Sequence, residues 1–306
     1  MIAKVAVIIL NWKQPRLTLD TVNSFLKINH SGFDYQIILI DNGSPDNSFK
    51  IFQKNFDKHP LVTLLQTGSN LGYVGGNNFG IKYGLKKKFD HFLIVNNDVL
   101  VDLQFLNILI KEIAKHPQSI LAPKIYFAPG FEFHRDRYRQ KDLGKVIWAM
   151  GGKIDWQNVY GSNLGIDEVD TGQYNRQPPK PDFISGCCFL VNRRFFQEVG
   201  LFDEKYYLYL EDADLSRRAV NLGYQLAVVP KSIIWHVNSG SSGAGSPLHD
   251  YFLTRNRLLF TFRYASLRTK FAVFRESLRH LITGRNWQKR GVIDFYLGRL
   301  GKGSWK

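Results

Sequence analysis

Cysteine is scarce. The 306 residues hold two, Cys187 and Cys188, side by side. Adjacent cysteines do not easily bridge each other and alternate between the faces of a strand, so they read as packing thiols of a reducing compartment. Long apolar runs are missing as well. None approaches the roughly 18 to 20 residues that span a bilayer. The first ten residues lack the charged segment and cleavage site of a secretory leader, so the chain is expected on the cytosolic side of a membrane. Residues 9–20 contain no glycine, which argues against the glycine-rich N-terminal loop an enzyme would use to hold a nucleoside triphosphate. Acidic residues thin out toward the end. From Tyr251 onwards there are thirteen Lys or Arg against two acids, Glu276 and Asp294, and this last fifth carries most of the formal net charge of +15. That asymmetry points to an anionic partner, either lipid head groups or a phosphorylated acceptor. Nucleic acid is not expected, because no helix-turn-helix, zinc-ligand or RNA motif accompanies the charge.

What is present is enough apolar material, 44% of residues, for a full core in one large domain or a domain with an appendage. The chain is organised around Phe92 to Asp98, FLIVNND, an apolar run that stops at two carboxamides and a carboxylate. Such a run predicts a buried strand whose carboxyl end delivers polar groups to a cleft, the edge at which open α/β sheets bind ligands. An Asn/Asp turn after an ordinary strand is the plainer alternative.

Other strands end in the same way. Ala3 to Leu10 is β-branched and apolar, continues into Asn11 and Trp12, and precedes a helix starting near Pro15. Tyr35 to Ile40 ends at Asp41-Asn42-Gly43-Ser44, with a helix to about Phe56, and Leu61 to Leu65 is a third strand. Asn70 to Asn78 is a glycine-dense turn leading into a helix that reaches Lys88. After FLIVNND come a helix from about Asp102 to Lys115 and a strand near Ile120 to Tyr126. Strands alternating with helices predict βαβ units and a mostly parallel sheet flanked by helices. Residues 128–181 are polar, irregular and dotted with aromatics, the character of a substrate-facing insertion. Phe183 to Val191, Tyr224 to Val229 and Ile233 to His236 resume as strands, with helices at Arg193 to Val199 and from Glu211 to Gly223. Beyond the Gly/Ser-rich stretch 239–246 only helices are expected, which divides the chain into a catalytic domain, 1–246, and a basic helical segment, 247–306.

One scheme uses the polar strand ends together. A nucleoside diphosphate needs an acceptor for its base imide, a close backbone approach, and a divalent cation against its phosphates. Asp41, the turn with Gly72 and Gly76, and Asp98 are the candidates. Their plainer readings are a helix cap, a tight turn and a structural carboxylate, and Glu211-Asp212 at a helix start also suits the macrodipole. The glycines match neither the dinucleotide fingerprint nor the P-loop.

In chain order, VAVIILNW (5–12), IDNGS (40–44), NLGYVGGNN (70–78), VNNDV (95–99), DFISGCCFLV (182–191), GLFDE (200–204), YLEDADLSRR (209–218), WHVNSGSS (235–242) and YFLTRNRL (251–258) resemble the family 2 glycosyltransferases, in particular their bacterial rhamnosyltransferase-like branch. The resemblance covers about residues 3–262. It implies a GT-A (Rossmann-like) fold, an inverting transfer from a nucleotide-sugar donor (dTDP- or UDP-linked, rhamnose first), and a Mg²⁺ or Mn²⁺ ion. The acceptor would be a cell-surface polysaccharide or a polyprenyl-diphosphate-linked glycan precursor. By the same resemblance Asp41 contacts the base, Asn11, Asn70, Gly72, Gly76, Asn77 and Asn97 line the donor, and Arg255 with Asn256 holds phosphate oxygens. Asp98 and His236 hold the metal, and Asp212, beside Glu211, is the general base. Position in the family selects Asp212; composition alone does not separate it from Glu211 and Asp214. This chain departs from many relatives in carrying Asn96 where they carry the first aspartate of the metal motif.

Leu267, Phe271, Phe274, Leu278 and Leu281 follow a 4-3-4-3 spacing with Arg268, Lys270, Arg275 and Arg279 between them. This amphipathic pattern suits peripheral attachment to an anionic membrane face or packing on the catalytic domain or a second copy in a homodimer. A non-catalytic nucleotide- or glycan-binding module is the other functional class compatible with the motifs.

Overall fold

In the computed structural model, which describes residues 2–237 and 245–306, eleven strands and nine α-helices are found among the described residues. The first half runs β1 (Ala3–Asn11), α1 (Pro15–Phe25), β2 (Phe33–Asp41), α2 (Ser48–Phe56), β3 (Val62–Gln66), α3 (Gly72–Lys86), β4 (His91–Asn96), β5 (Val99–Val101), α4 (Phe105–Lys115) and β6 (Ser119–Phe127). The second runs β7 (Ile147–Ala149), β8 (Gly152–Asp155), β9 (Tyr160–Asn163), β10 (Cys188–Asn192), α5 (Arg193–Glu198), α6 (Glu211–Asn221), β11 (Gln225–His236), α7 (Pro247–Tyr264), α8 (Leu267–Thr283) and α9 (Asn286–Tyr296).

The main sheet has the order β3-β2-β1-β4-β10-β6-β11-β5, with β7 on β6. Its first four strands are parallel, as the alternating elements predict. Beyond β4 the sheet is mixed: β10 is antiparallel to β4 and β6, while β11 is parallel to β6 and antiparallel to β5. Central strands are apolar on both faces because both are covered. In β1, Ala6 and Ile8 join the core under α3 and α6, and Val5, Val7 and Ile9 join the core under α1, α2 and α4. Strand order reverses between β1 and β4, so the crevice at their carboxyl ends is the expected ligand site.

Two elements differ from the sequence expectation. The glycine-dense stretch is helix from Gly72 on, not a turn preceding one. The two late strands are one, β11, whose pairing shifts register between Val229 and Ile233, around Pro230, which has no N–H for a ladder. The 128–181 segment contributes β7 and the β8/β9 hairpin. It is pinned to the sheet by the buried Lys124–Asp170 ion pair, 2.5 Å, and by Trp235 Nε1 donating to the Gly144 carbonyl at 2.9 Å. Both cysteines are buried and free, and burial pushes both thiols far above their ordinary range. Residues 239–244 of the stretch 239–246 lie outside the described residues, as do the last five residues of WHVNSGSS.

Candidate active site

Parallel pairing sets Asn11 opposite Asp41 at the carboxyl ends of β1 and β2. Asn11 Nδ2 donates to Asp41 Oδ1 (3.0 Å) and Ser44 Oγ (3.2 Å). Asp41 Oδ2 accepts from the Ser44 N–H and from Gln66 Nε2, both at 3.2 Å. Both residues are wholly buried. A carboxylate offers about four acceptor sites, so three are filled within the protein and one is left. Asn11 Oδ1 accepts from Thr18 Oγ1 (2.8 Å) and the Gln14 N–H (3.3 Å). Its side chain is therefore saturated within the protein, and it orients Asp41 in place of the donor contact expected of it. Thr18 Oγ1 also accepts from Asn97 Nδ2 at 2.9 Å, tying the end of β1 to the turn after β4.

The end of β11 meets that turn. His236 pairs with Val99, and the Val237 N–H donates to the Asp98 carbonyl at 2.7 Å. The imidazole Nε2 then lies 3.2 Å from Asp98 Oδ1. The pair is not aligned as a hydrogen bond, which leaves Asp98 Oδ1 buried without a hydrogen-bond partner, and the other ring nitrogen, His236 Nδ1, is likewise buried without one. Trp148, from the 128–181 segment, lies with its ring 4.5 Å from the His236 ring. Two ligands on adjacent corners of an octahedron at 2.0–2.1 Å from a cation stand about 3 Å apart, so Asp98 and His236 fit a shared divalent ion. No cluster of three or more His, Cys, Asp or Glu is found among the described residues. A hard cation held by one or two protein groups and completed by substrate phosphates matches that sparse set. Beside Asp98 a cavity of about 750 Å³, lined by Arg16, Asp20, Lys27, Phe131 and Val237 among others, opens against α1, within the ~300–1,000 Å³ of small-ligand clefts.

Across the adjacent backbone lies the second carboxylate cluster. Because β10 runs antiparallel to β4, the residues before it come to the end of β4, where the Asn96 N–H donates to the Cys187 carbonyl at 2.9 Å. One residue earlier, the Gly186 N–H donates to Asp212 Oδ2 at 2.9 Å, and the Ala213 N–H reaches Asp212 Oδ1 at 2.8 Å. Tyr73 OH donates to the Gly186 carbonyl at 2.6 Å. Burial raises the proton affinity of Asp212 while these N–H groups oppose the rise. Glu211 is pushed up much further, by burial and then by the neighbouring Asp212 charge, and its Oε2 has no hydrogen-bond partner. The environments separate the two acids: Glu211 keeps its proton more readily, and Asp212 is the carboxylate positioned to accept one. Asp214 is a different matter. Wholly buried, it accepts from Tyr206, Arg263, Tyr264 and Arg218 and is a structural anchor.

Ahead of α6 the backbone is strained. Tyr207, Tyr209 and Leu210 have φ of 67°, 70° and 66°, a region costing an L residue roughly 1–2 kcal/mol. Asn256 on α7 holds the turn, its Nδ2 donating to the carbonyls of Tyr206 (2.9 Å), Leu208 (2.7 Å) and Tyr209 (2.9 Å). Arg255 lies beneath. Its guanidinium is fully buried between the Tyr251 and Phe252 rings and donates to Asn256 Oδ1 and to the carbonyls of Lys205 and Tyr206. Arg255 is enclosed by protein and its charge supports the turn that presents Glu211 and Asp212, with Nη1 left without a hydrogen-bond partner.

The glycine segment is packed against protein as well. A Cβ on Gly76 would stand 2.5 Å from the Leu10 side chain, on Gly80 2.4 Å from Ile40, and on Gly84 2.6 Å from Phe92. These glycines let α3 lie directly on the sheet. Gly72 has φ +71° with the Tyr207 ring 2.6 Å from a would-be Cβ, and its N–H donates to Asn70 Oδ1, which Asn42 and Tyr207 also reach. Asn77 is buried and donates to the Tyr73 carbonyl, with Oδ1 unpartnered. Gly76, Gly72 and Asn77 are thus enclosed by protein, and Asn70 organises the loop before α3. Thr18, Tyr73, Asn42 and the Gly186 N–H escaped the sequence reading. Tyr73 and Gly186 fall inside the quoted motifs, whereas nothing marked Thr18.

A mixed α/β sheet of this order, with its polar groups gathered at the carboxyl edge of β1, β2 and β4, has the GT-A-type fold of glycosyltransferases. The chain belongs to one family of these: the sequence model of Glycosyl transferase family 2 matches residues 6–200. Among curated relatives, the N-acetylglucosaminyl-diphospho-decaprenol L-rhamnosyltransferase of Mycobacterium tuberculosis is 28% identical over 223 residues, 70% of each chain. A low-salt glycan biosynthesis hexosyltransferase of Haloferax volcanii is 22% identical over 73% of this chain and 65% of its own. Among solved structures, GalNAc-T7 with UDP, GalNAc and Mn²⁺ superposes with a TM-score of 0.64 at 18% identity, covering 92% of this chain and 58% of that one. A Pyrobaculum calidifontis mannosyltransferase with GDP-Man and Mn²⁺ gives 0.54 at 12% identity, covering 98% and 87%.

Proposed function

We propose that this glycosyltransferase inverts the anomeric carbon as it moves a sugar, rhamnose in the first instance, from a dTDP- or UDP-linked donor to a hydroxyl of a polyprenyl-diphosphate-linked glycan or polysaccharide precursor. The relation to the mycobacterial rhamnosyltransferase supports the donor and acceptor class. The observation that carries the mechanism is the setting of Asp212, held by two backbone N–H groups beside a Glu211 whose proton affinity burial raises further than that of Asp212. A base must be ionised yet proton-hungry. Burial supplies the hunger, and the N–H groups with the α6 N-terminus keep the charge.

A divalent cation at Asp98 and His236 would neutralise the charge that grows on the departing diphosphate, an effect larger in the transition state than before it. Asp98 and His236 would hold the phosphate end, Asp41 the base, and Asp212 would take the acceptor's proton as its oxygen attacks from the opposite face. Gly186 and Cys187 link the two groups through the backbone: Gly186 donates to Asp212 and Cys187 accepts from Asn96, two residues before Asp98. Work of this kind suits the cytoplasmic face of the membrane.

A thermal-shift panel of dTDP, UDP, GDP and ATP, with and without Mn²⁺ or Mg²⁺, tests the donor half. Ligand at about one hundred times its dissociation constant adds about 2.7 kcal/mol, several degrees for a chain of this size. A cation-dependent shift with dTDP or UDP is the expected result. A clean transition that no nucleotide moves would overturn the donor assignment.

A further inference from the structure

Helix α8 is inside out. Its large apolar residues Leu267, Phe271, Leu278 and Ile282 fall within about 60° of arc at 100° per residue, and they are 84, 63, 44 and 78% exposed. The face turned to the protein carries Thr269, Val273 and Ser277 instead. A helix packed for its own stability would bury the stripe. Of the predicted 4-3-4-3 set, Leu267, Phe271 and Leu278 point outward, while Phe274 and Leu281 are partly buried, Leu281 against Leu258, Val273 and Val292. The stripe continues onto α9: Tyr296, itself exposed, sets its ring edge against Phe274 and its hydroxyl 2.8 Å from Ser277 Oγ, with Ile293 and Leu297 exposed nearby in sequence.

Cations border the stripe. Arg268, Arg275 and Arg279 are exposed and Lys270 is partly so. The one carboxylate of α8, Glu276, is engaged by Arg257 at 2.8 Å and does not neutralise them. We propose that this face docks on a bilayer surface containing anionic lipid, the apolar stripe entering the boundary of the acyl chains and the flanking guanidinium and ammonium groups meeting lipid phosphates. Charge complementarity selects this occupant over a second copy. A two-fold dimer through the stripe would bring two such sets of cations together, and like charges at an interface oppose association. No helix among the described residues is long and apolar enough to cross a membrane, so attachment by this face is peripheral and reversible.

The docking does not rest on the transfer reading, and its test needs no turnover. The full chain is floated on sucrose gradients with vesicles of pure phosphatidylcholine and of phosphatidylcholine with equimolar phosphatidylglycerol. Wild type should float with the anionic vesicles and stay behind with the neutral ones. Raising NaCl to ~0.5 M should release most of it, since surface charges are then screened beyond ~4 Å. Phe271→Ser with Ile282→Ser should lower partitioning at least tenfold, and Arg275→Ala should lower it by about fivefold. Because all three side chains are exposed, the thermal midpoint and nucleotide shifts should be unchanged. Absence of flotation, equal flotation of wild type and the double variant, or a wild-type dimer that the double variant dissolves without any vesicle binding would each overturn the proposal.

Discussion

Removing the Asn256 side chain tests how the catalytic carboxylate is held. Asn256→Ala deletes two N–H donors shared among three carbonyls and the acceptor of two guanidinium N–H groups. Two neutral hydrogen bonds at about 1 kcal/mol each, with a charge-assisted interaction at about 1.5–3 kcal/mol, give a destabilisation of about 3–5 kcal/mol. In a chain this size the melting midpoint should fall by roughly 5–10 °C. The strained residues Tyr207, Tyr209 and Leu210 then lose what holds them, and the start of α6 relaxes. A displacement near 1 Å costs on the order of 10²-fold in rate, so kcat should fall by at least that much. Affinity for the nucleotide, whose proposed contacts lie at β1, β2 and β4, should change by no more than about threefold. Single-turnover transfer, isothermal titration with the nucleotide and urea unfolding read the three quantities separately. Asn256→Asp keeps the shape and the partner of Arg255 while setting an acceptor against the carbonyls, and should show the same split if the Ala variant fails to fold. Wild-type kcat in a variant that has lost stability would refute the clamp.

Asp212→Asn should cut kcat by on the order of 10²–10⁴, the usual contribution of a positioned base, and leave nucleotide titrations unchanged; substantial turnover would remove Asp212 from that role. Because burial raises the Asp212 pKa, activity should rise with pH along a limb above the ordinary carboxylate range, and a limb at the free-aspartate value would contradict the buried setting. Glu211→Gln mimics the protonated acid and should retain most activity. The folded-state pKa of Glu211 is raised, so its contribution to stability is complete below the unfolded value of about 4.3 and is lost as pH rises through the folded one. The stability advantage of the Gln variant should therefore grow as pH rises above the unfolded value, and urea midpoints independent of pH would sink this assignment. Asp98→Ala should abolish the Mn²⁺ dependence of nucleotide binding, and an unaltered metal titration would dismiss the Asp98 and His236 pair as ligands.

The sheet was legible because burial on both faces leaves a plain mark: VAVII and IILI are continuous apolar runs, and their polar ends fall where parallel strands stop. FLIVNND gave the edge for the same reason. Helix α3 was misread because glycine lowers helix propensity by about 1 kcal/mol relative to alanine, whereas here Gly76, Gly80 and Gly84 gain close contact with Leu10, Ile40 and Phe92. Tertiary packing outweighed propensity, and no local pattern records it. The antiparallel β10 was not readable either, since nothing in Cys188 to Asn192 states its direction. The burial of Arg255 beneath a strained turn was not readable, because an arginine beside a phosphate and one in that setting have the same sequence.

The composition boundary near residue 246 conceals a division of labour within the helical segment. Helix α7 buries Tyr251, Phe252, Arg255 and Asn256 under the turn that carries Glu211 and Asp212, so it completes the site that the preceding strands begin. Helix α8 does the opposite, turning Thr269, Val273 and Ser277 inward and leaving Leu267, Phe271, Leu278 and Ile282 in solvent. The high basic charge is shared unequally between those tasks: Arg255 and Arg257 are buried on backbone carbonyls and Glu276, while Arg268, Arg275 and Arg279 remain exposed. A single count of positive residues therefore mixes cations that hold the catalytic turn in place with cations free to meet an anionic surface. Only the second group should make binding to that surface sensitive to salt.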